Sequence, residues 1–201
     1  MFIVTVPHAR CRTFDLEAGV HTCDTLARRA AESIASELAR VGADVVGPIV
    51  GNTNRRDAPD LNRSGSRDSR FRDEIASEIR KTNGPGRRPF VVDVHSFNPG
   101  AGWEHEGRGE PLIVFLDGRR AYGIPGIPER LKGMLPSWLA DRTSVGGSIE
   151  NDIVATAVDS GASGAVLIEF SEAELADGRG LQRIVVTLAS ILVSLQRSLI
   201  E

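Results

Sequence analysis

Cysteine is scarce in this sequence, since only Cys11 and Cys23 occur among 201 residues. A small secreted domain that depends on disulfides normally carries more cysteines, so their scarcity favours a reducing, cytoplasmic environment. A chain of this length is expected to bury a hydrophobic core without disulfides or a structural metal. Because a domain typically contains about 100–200 residues, residues 1–201 are predicted to form a single domain.

An excess of positive charge is also missing. Lys and Arg together number 24, whereas Asp and Glu number 27, which gives a net charge of −3. A nucleic acid or an anionic membrane is therefore not an expected partner. Arginines do cluster locally between Arg55 and Arg88, and a local cluster in an acidic protein suits a small anionic ligand.

Long hydrophobic runs are absent from the sequence. The first six residues lead directly into Pro7 and lack the basic and long apolar regions of a signal peptide. The most apolar stretch, residues 184–195, is shorter than the roughly 18 residues that a membrane span needs, and Arg183 and Arg197 flank it. We therefore expect a protein that is not inserted in a membrane.

Apolar runs that alternate with helical patterns are what the sequence does contain. Residues 2–6, 43–50, 90–94, 112–116 and 165–170 read as strands, although Pro48 weakens the second of them. Residues 21–41, 66–81, 149–158 and 181–200 read as helices. Gly42 is expected to end the first helix, Pro136 to interrupt a helix at 128–140, and Gly146-Gly147 to form a loop. This alternation predicts an α/β domain, a three-layer α/β/α arrangement with a mainly parallel mixed sheet.

Three predicted strands end in side chains that can perform chemistry. His8 follows the first strand, His95 ends the strand at 90–94, and Glu169 lies near the end of the last strand. Ligands of such sheets bind at the carboxyl ends of the strands, so these residues are expected to converge. Neutral imidazole is a common zinc ligand, and a carboxylate at the edge of the core suits a general base. Each of the three could instead be a structural polar residue at the sheet edge.

The third protein ligand that a catalytic zinc would need is not fixed by the sequence. The candidates all lie on the segment that follows His8, and they are Cys11, Asp15, Glu17, His21 and Asp24. Asp24 falls in the first turn of the predicted helix, where a carboxylate also interacts favourably with the helix dipole.

Two polar loops hold candidate substrate contacts. In Asp60-Leu-Asn62-Arg63, the guanidinium of Arg63 is suited to bind a carboxylate through two hydrogen bonds, and Asn62 can donate to the same anion. His105 lies in a glycine-rich loop, where it could contact substrate or donate a proton from a mobile segment.

These residues, in this order, resemble the N-formylglutamate amidohydrolase family, which is distantly related in fold to zinc carboxypeptidases and to succinylglutamate desuccinylase. The matching segments are Val6-Pro7-His8, Asp60-Leu-Asn62-Arg63, Val92-Asp93-Val-His95-Ser96 and Leu167-Ile-Glu169. The resemblance implies a zinc carboxypeptidase-like fold of the phosphorylase/hydrolase type.

The resemblance also assigns roles to the candidate residues. His8 and His95 would be ligands of one zinc ion per chain, and Asp24 is favoured as the third ligand. Glu169 would activate water. Asn62 and Arg63 would anchor a substrate carboxylate or polarise the scissile carbonyl, so that Arg63 would share the charge developing on the carbonyl oxygen.

Three functions are consistent with the sequence. The first is a zinc-dependent amidohydrolase that cleaves a C–N amide bond of a small-molecule or short-chain carboxylate, such as an N-acyl amino acid or a γ-glutamyl or peptide-like chain. The second is a metal-dependent peptidase or cell-wall amidase. The third is a non-catalytic module that binds an anion among Arg63, Arg67 and Arg70.

Overall fold

A computed structural model describes residues 1–8, 26–51, 69–97, 113–117, 126–146 and 152–200. Its strands are β1 (Phe2–Val6), β2 (Val45–Val50), β3 (Phe90–Phe97), β4 (Val114–Asp117), β5 (Thr143–Gly146) and β6 (Gly164–Ser171). Its helices are α1 (Ala27–Arg40), α2 (Arg70–Thr82), α3 (Ile127–Met134), α4 (Ser137–Ala140), α5 (Asp152–Asp159), α6 (Glu172–Ala176) and α7 (Gly178–Ile200).

The six strands form one mixed sheet in the order β2-β1-β3-β6-β4-β5. The first four strands of this order are parallel, β4 is antiparallel to β6, and β5 is parallel to β4. Every residue of β1, β3 and β6 is buried, which explains why these central strands read as nearly continuous apolar runs. The predicted α/β class with a mainly parallel mixed sheet is confirmed.

Helices cover both faces of the sheet. On one face, α1, α3 and α7 pack over alternate strand residues such as Val92 and Val94. On the other face, α2 and α5 pack over the intervening residues, which include Val91 and Phe97. Successive strand residues point to opposite faces, so each strand contributes to two separate apolar cores. The result is the predicted three-layer α/β/α arrangement.

Gly42 and Pro136 lie at helix boundaries, as the sequence predicts. Gly42, with φ of 83°, follows α1, and the amides of Gly42 and Ala43 donate to the carbonyls of Ala39 and Leu38 at 3.0 Å. This pattern is a Schellman motif, which ends the helix at the predicted position. Pro136 separates α3 from α4, again as predicted.

One strand was not predicted. The structure places Thr143–Gly146 in β5, at the edge of the sheet beside β4, whereas the sequence indicated only a loop at Gly146-Gly147. A four-residue strand with one glycine carries too little alternation to be recognised from its sequence. Gly147 lies outside the described residues.

Helix α7 contains residues 184–195, the most apolar stretch of the sequence. Among the described residues, its stretch Gly178–Leu199 is the one helix with the length and composition to cross a membrane. Its buried side chains, which include Leu188, Leu192 and Leu195, belong to the core that α1 and the sheet also form. These apolar side chains therefore pack in the core of the sheet domain.

A polar contact joins α1 to α7 at the rim of this core. Gln182 donates from Nε2 to Glu37 Oε1 at 2.7 Å, and Arg40 binds the other oxygen of the same carboxylate. The Arg40 guanidinium, with a smaller contribution from Gln182, holds the pKa of the Glu37 carboxyl below its usual range, although burial opposes this shift. The contact fixes how α7 lies against α1.

Gly47 in edge strand β2 allows a close approach to β1, and we expect Gly47→Ala to destabilise the fold. Its φ is 106°, and a Cβ added there would lie 2.5 Å from the backbone oxygen of Val4. Left-handed strain and the backbone clash together should cost about 3 kcal/mol or more. Urea unfolding measures this change.

Gly42→Ala is the matched control, because Gly42 also has positive φ but a Cβ there meets no atom within 4 Å. This variant should lose only about 1–2 kcal/mol, the cost of the left-handed backbone alone. Equal losses in the two variants would show that the contact with Val4 contributes nothing.

Candidate active site

The register between β3 and β6 brings two predicted site residues side by side. His95 is the pairing partner of Glu169 across the two parallel strands, so both side chains project from the same face of the sheet. His95 is fully buried and Glu169 is 7% exposed. By the alternation along each strand, this is the face that α2 and α5 cover.

Asp93 holds the His95 ring from the same strand. Asp93 and His95 are two residues apart and therefore share a face, and Asp93 Oδ2 lies 3.0 Å from His95 Nε2. A carboxylate only accepts hydrogen bonds, so Nε2 is inferred to carry the ring hydrogen and Nδ1 the lone pair. Fixing a histidine in this way is typical of a metal ligand whose second nitrogen is oriented by a carboxylate.

Thr5 satisfies the other oxygen of Asp93. Its hydroxyl Oγ1 donates to Asp93 Oδ1 at 2.7 Å, from the opposite position of neighbouring strand β1. Thr5, Asp93 and His95 are all fully buried. A chain of two hydrogen bonds thus runs from β1 to the imidazole on β3.

His8 approaches the same point from the end of β1. It lies two residues beyond the last residue of that strand and is fully buried. Its ring centroid is 5.7 Å from that of His95, with an angle of 61° between the ring planes. The structure therefore brings His8, His95 and Glu169 to one edge of the sheet, where the carboxyl ends of β1, β3 and β6 meet.

The centroid spacing of the two histidines is compatible with a shared zinc ion. With Zn–N bonds of about 2.0–2.1 Å and tetrahedral angles, two imidazole ligands have ring centroids roughly 5 Å apart, close to the observed spacing. Within the described part of the chain, no group of three or more His, Cys, Asp and Glu side chains is arranged to hold a metal. A complete site would need a further ligand from elsewhere in the chain.

The remaining predicted site residues lie outside the described residues. They are the favoured third ligand Asp24, its alternatives Cys11, Asp15, Glu17 and His21, and the substrate contacts Asn62, Arg63 and His105. Their roles stay predictions.

Sequence reasoning assigned no role to four buried polar residues, two at this edge of the sheet and two on the helices that cover this face. Thr5 and Asp93 form the hydrogen-bond chain to His95, and Arg72 pairs with Asp152. A signal was present for Asp93, because a carboxylate two residues before a histidine in an otherwise apolar strand must share its face. Thr5 looks like an ordinary strand residue, and only the pairing of β1 with β3 reveals its partner.

The Arg72–Asp152 ion pair joins the helices that cover the site face. Arg72 lies in the first turn of α2 and Asp152 in the first turn of α5, with Arg72 Nη2 3.2 Å from Asp152 Oδ2. Both side chains are about 95% buried. A groove of about 510 Å³ between the two helices is lined partly by this pair and contains none of His8, His95 and Glu169.

The comparisons with known proteins identify the fold. No protein-family model matches the chain, and no curated protein matches it. The crystal structure of gene product Atu2144 from Agrobacterium tumefaciens is similar, with a TM-score of 0.69 at 17% identity, covering 100% of this chain and 92% of that one.

Two amidases of known structure are also similar. The CwlD amidase from Clostridioides difficile, solved with the GerS lipoprotein, has a TM-score of 0.55 at 11% identity, covering 98% of this chain and 100% of that one. An N-formylglutamate amidohydrolase from Ralstonia eutropha JMP134 has a TM-score of 0.53 at 13% identity, covering 98% of this chain and 93% of that one. The chain therefore has the fold of these amidases, and identities this low show the fold alone.

Removing one partner of the Arg72–Asp152 pair should destabilise the protein strongly. Arg72→Met or Asp152→Asn breaks this buried ion pair and leaves one of its charges buried, and we expect each to cost about 3–5 kcal/mol in the free energy of unfolding. Urea denaturation of the wild type, both single variants and the double variant measures the coupling.

In the double variant the loss should be much smaller than the sum of the two single losses, because both charges of the pair are then absent. Strictly additive losses would show that the two side chains do not stabilise each other.

Proposed function

We propose that this protein is a zinc-dependent amidohydrolase that cleaves a C–N amide bond of a carboxylate-bearing substrate. The substrate class is an N-acyl amino acid such as N-formylglutamate, or a γ-glutamyl or peptide-like chain. The observation that carries the proposal is the convergence of His8, His95 and Glu169 at the carboxyl ends of three parallel strands. The shared fold with an N-formylglutamate amidohydrolase and the CwlD amidase supports it.

In this proposal the protein binds one zinc ion through His8, through His95 Nδ1 and through a third ligand, for which Asp24 remains our choice. Bound zinc supplies Lewis-acid polarisation of the scissile carbonyl and lowers the pKa of water at the site. Asp93 keeps the His95 ring oriented, since it accepts the Nε2 hydrogen at 3.0 Å.

Glu169 is the proposed general base. Its side chain is nearly buried beside His95, so its carboxylate is held at one place instead of sampling solvent. Glu169 takes a proton from the attacking water and passes it to the leaving amine nitrogen, which balances the hydrolysis. Asn62 and Arg63 hold the substrate carboxylate, and Arg63 also stabilises the charge that develops on the carbonyl oxygen.

Glu169→Gln tests the proposed base. The variant keeps the shape of the side chain but cannot accept the proton, so kcat for N-formyl-L-glutamate should fall about 10²–10⁴-fold while zinc content is unchanged. Formate release measures turnover, and elemental analysis measures zinc.

Glu32→Gln is the matched control for this change. Glu32 is an exposed carboxylate on α1, the helix on the opposite face of the sheet from Glu169, and it pairs with Arg28 at 2.9 Å. Its turnover should equal that of the wild type. If Glu169→Gln retained full turnover with zinc bound, Glu169 would be excluded as the base.

Metal content tests the histidine pair independently of activity. Protein purified without chelator and equilibrated with zinc should hold about one zinc per chain, and His8→Ala and His95→Ala should each lose it. Chelation should abolish hydrolysis, and added zinc should restore it. A wild-type protein that takes up no zinc would exclude this mechanism in favour of a metal-free anion-binding module.

A cell-wall amidase is the second candidate, and the likeness to the CwlD amidase supports it. The same residues would serve, but the substrate would be a longer chain. Competition between N-formyl-L-glutamate and soluble peptidoglycan fragments separates the two functions, because the preferred substrate inhibits turnover of the other at the lower concentration.

A further inference from the structure

We infer that Thr5 and Asp93 form a positioning pair that makes His95 bind metal through Nδ1, an inference that rests on the proposed zinc site. The two residues touch neither substrate nor metal in this assignment. Thr5 acts on Asp93, and Asp93 acts on the imidazole. The pair is therefore a determinant of metal affinity, provided by β1 and β3 together.

The geometry of the pair leaves Asp93 little freedom. Its two oxygens accept from different strands, Oδ1 from the Thr5 hydroxyl at 2.7 Å and Oδ2 from His95 Nε2 at 3.0 Å. All three side chains are fully buried, so water does not compete for these hydrogen bonds. Losing the Thr5 hydroxyl would leave Oδ1 without this donor, and the carboxylate could then rotate away from the ring.

Burial makes the choice of tautomer strict. With Asp93 in place, the Nε2–H tautomer of His95 gains a hydrogen bond to a charged acceptor, whereas the Nδ1–H form would set two acceptors against each other. The imidazole therefore presents its lone pair at Nδ1. A carboxylate that orients a ligand histidine in this way raises its metal affinity.

Strand β1 connects this pair to the second histidine. Thr5 is paired with Asp93 in the β1–β3 register, and His8 lies three residues further along the same chain. The Thr5–Asp93 hydrogen bond therefore links β1, the strand that precedes His8, to the residue that holds the His95 imidazole. The ring centroids of His8 and His95 are 5.7 Å apart. This hydrogen bond thus joins the segment that leads to His8 with the segment that carries His95.

Thr5→Val tests the inference, because valine keeps the shape of threonine and removes only the hydroxyl. In the metal-free protein, long-range ¹H–¹⁵N NMR should report the Nε2–H tautomer for wild-type His95 and a mixture of tautomers in Thr5→Val. Zinc affinity, measured by competition with a chromophoric chelator, should fall about 10-fold in Thr5→Val and about 10–100-fold in Asp93→Asn. Thr5→Ser restores the hydroxyl and should recover both the tautomer and the affinity.

Thr143→Val is the matched control. Thr143 is also fully buried, and its hydroxyl donates to the Leu139 carbonyl at 2.7 Å, on edge strand β5. This variant should keep the wild-type tautomer and zinc affinity even if its stability falls as much as that of Thr5→Val. Equal effects of the two substitutions on His95 would overturn the inference, because the change in tautomer and zinc affinity would then not be specific to the Thr5 hydroxyl.

The inference is also overturned if Thr5→Val keeps the wild-type tautomer and binds zinc within twofold of the wild type. The two kinds of measurement separate it from the proposed function. If the wild type bound no zinc, the hydrolase proposal would fail, whereas the tautomer of the metal-free protein would still decide whether Thr5 and Asp93 position His95. Should Thr5→Val not fold, Thr5→Ala, which also removes the hydroxyl, provides the same decision by the same NMR measurement.

Discussion

The pairing of β3 with β1 on one side and β6 on the other determines where every described site residue lies. In this register Asp93 faces Thr5 and His95 faces Glu169. A slip of one residue would turn His95 toward the apolar core under α1 and α7, because side chains alternate between faces. Val91 and Phe97 oppose such a slip, since they fill the core under α2 and α5 from the same face as His95.

The site interrupts an apolar sheet, and its hydrogen bonds explain how the fold tolerates the interruption. An aspartate and a histidine without exposure would be costly to bury if their polar atoms lacked partners. The Thr5–Asp93–His95 chain supplies these partners within the sheet. Functional sites are the places where buried polar groups are expected to break the apolar pattern of a strand. Specific neighbours satisfy such groups.

Helices α2 and α5, which cover this face, also bury polar side chains that satisfy each other, in this case at their first turns. Arg72 and Asp152 bring opposite charges together out of solvent, and each would be unfavourable alone. Their pairing ties the start of α2 to the start of α5. The layer that covers the site is therefore fixed by a directional contact as well as by apolar packing.

Local patterns were sufficient to predict much of this protein. Apolar runs identified the central strands, and Gly42 and Pro136 marked helix ends. His8, His95 and Glu169 became candidate site residues because each lies at or near the end of such a run. Each of these features depends on residues close together in the sequence. The central strands were the easiest to recognise because they are buried on both faces.

Contacts between distant residues were decided only by the tertiary structure. The sequence alone determined the central strands, most of the helices, and which of those strands end in side chains that can perform chemistry. The order of the strands, the short edge strand β5 and the partners Thr5–Asp93 and Arg72–Asp152 appear only once the chain has folded. These pairs join residues 88 and 80 positions apart, and an apolar run shows that a strand is buried without showing which strand lies beside it.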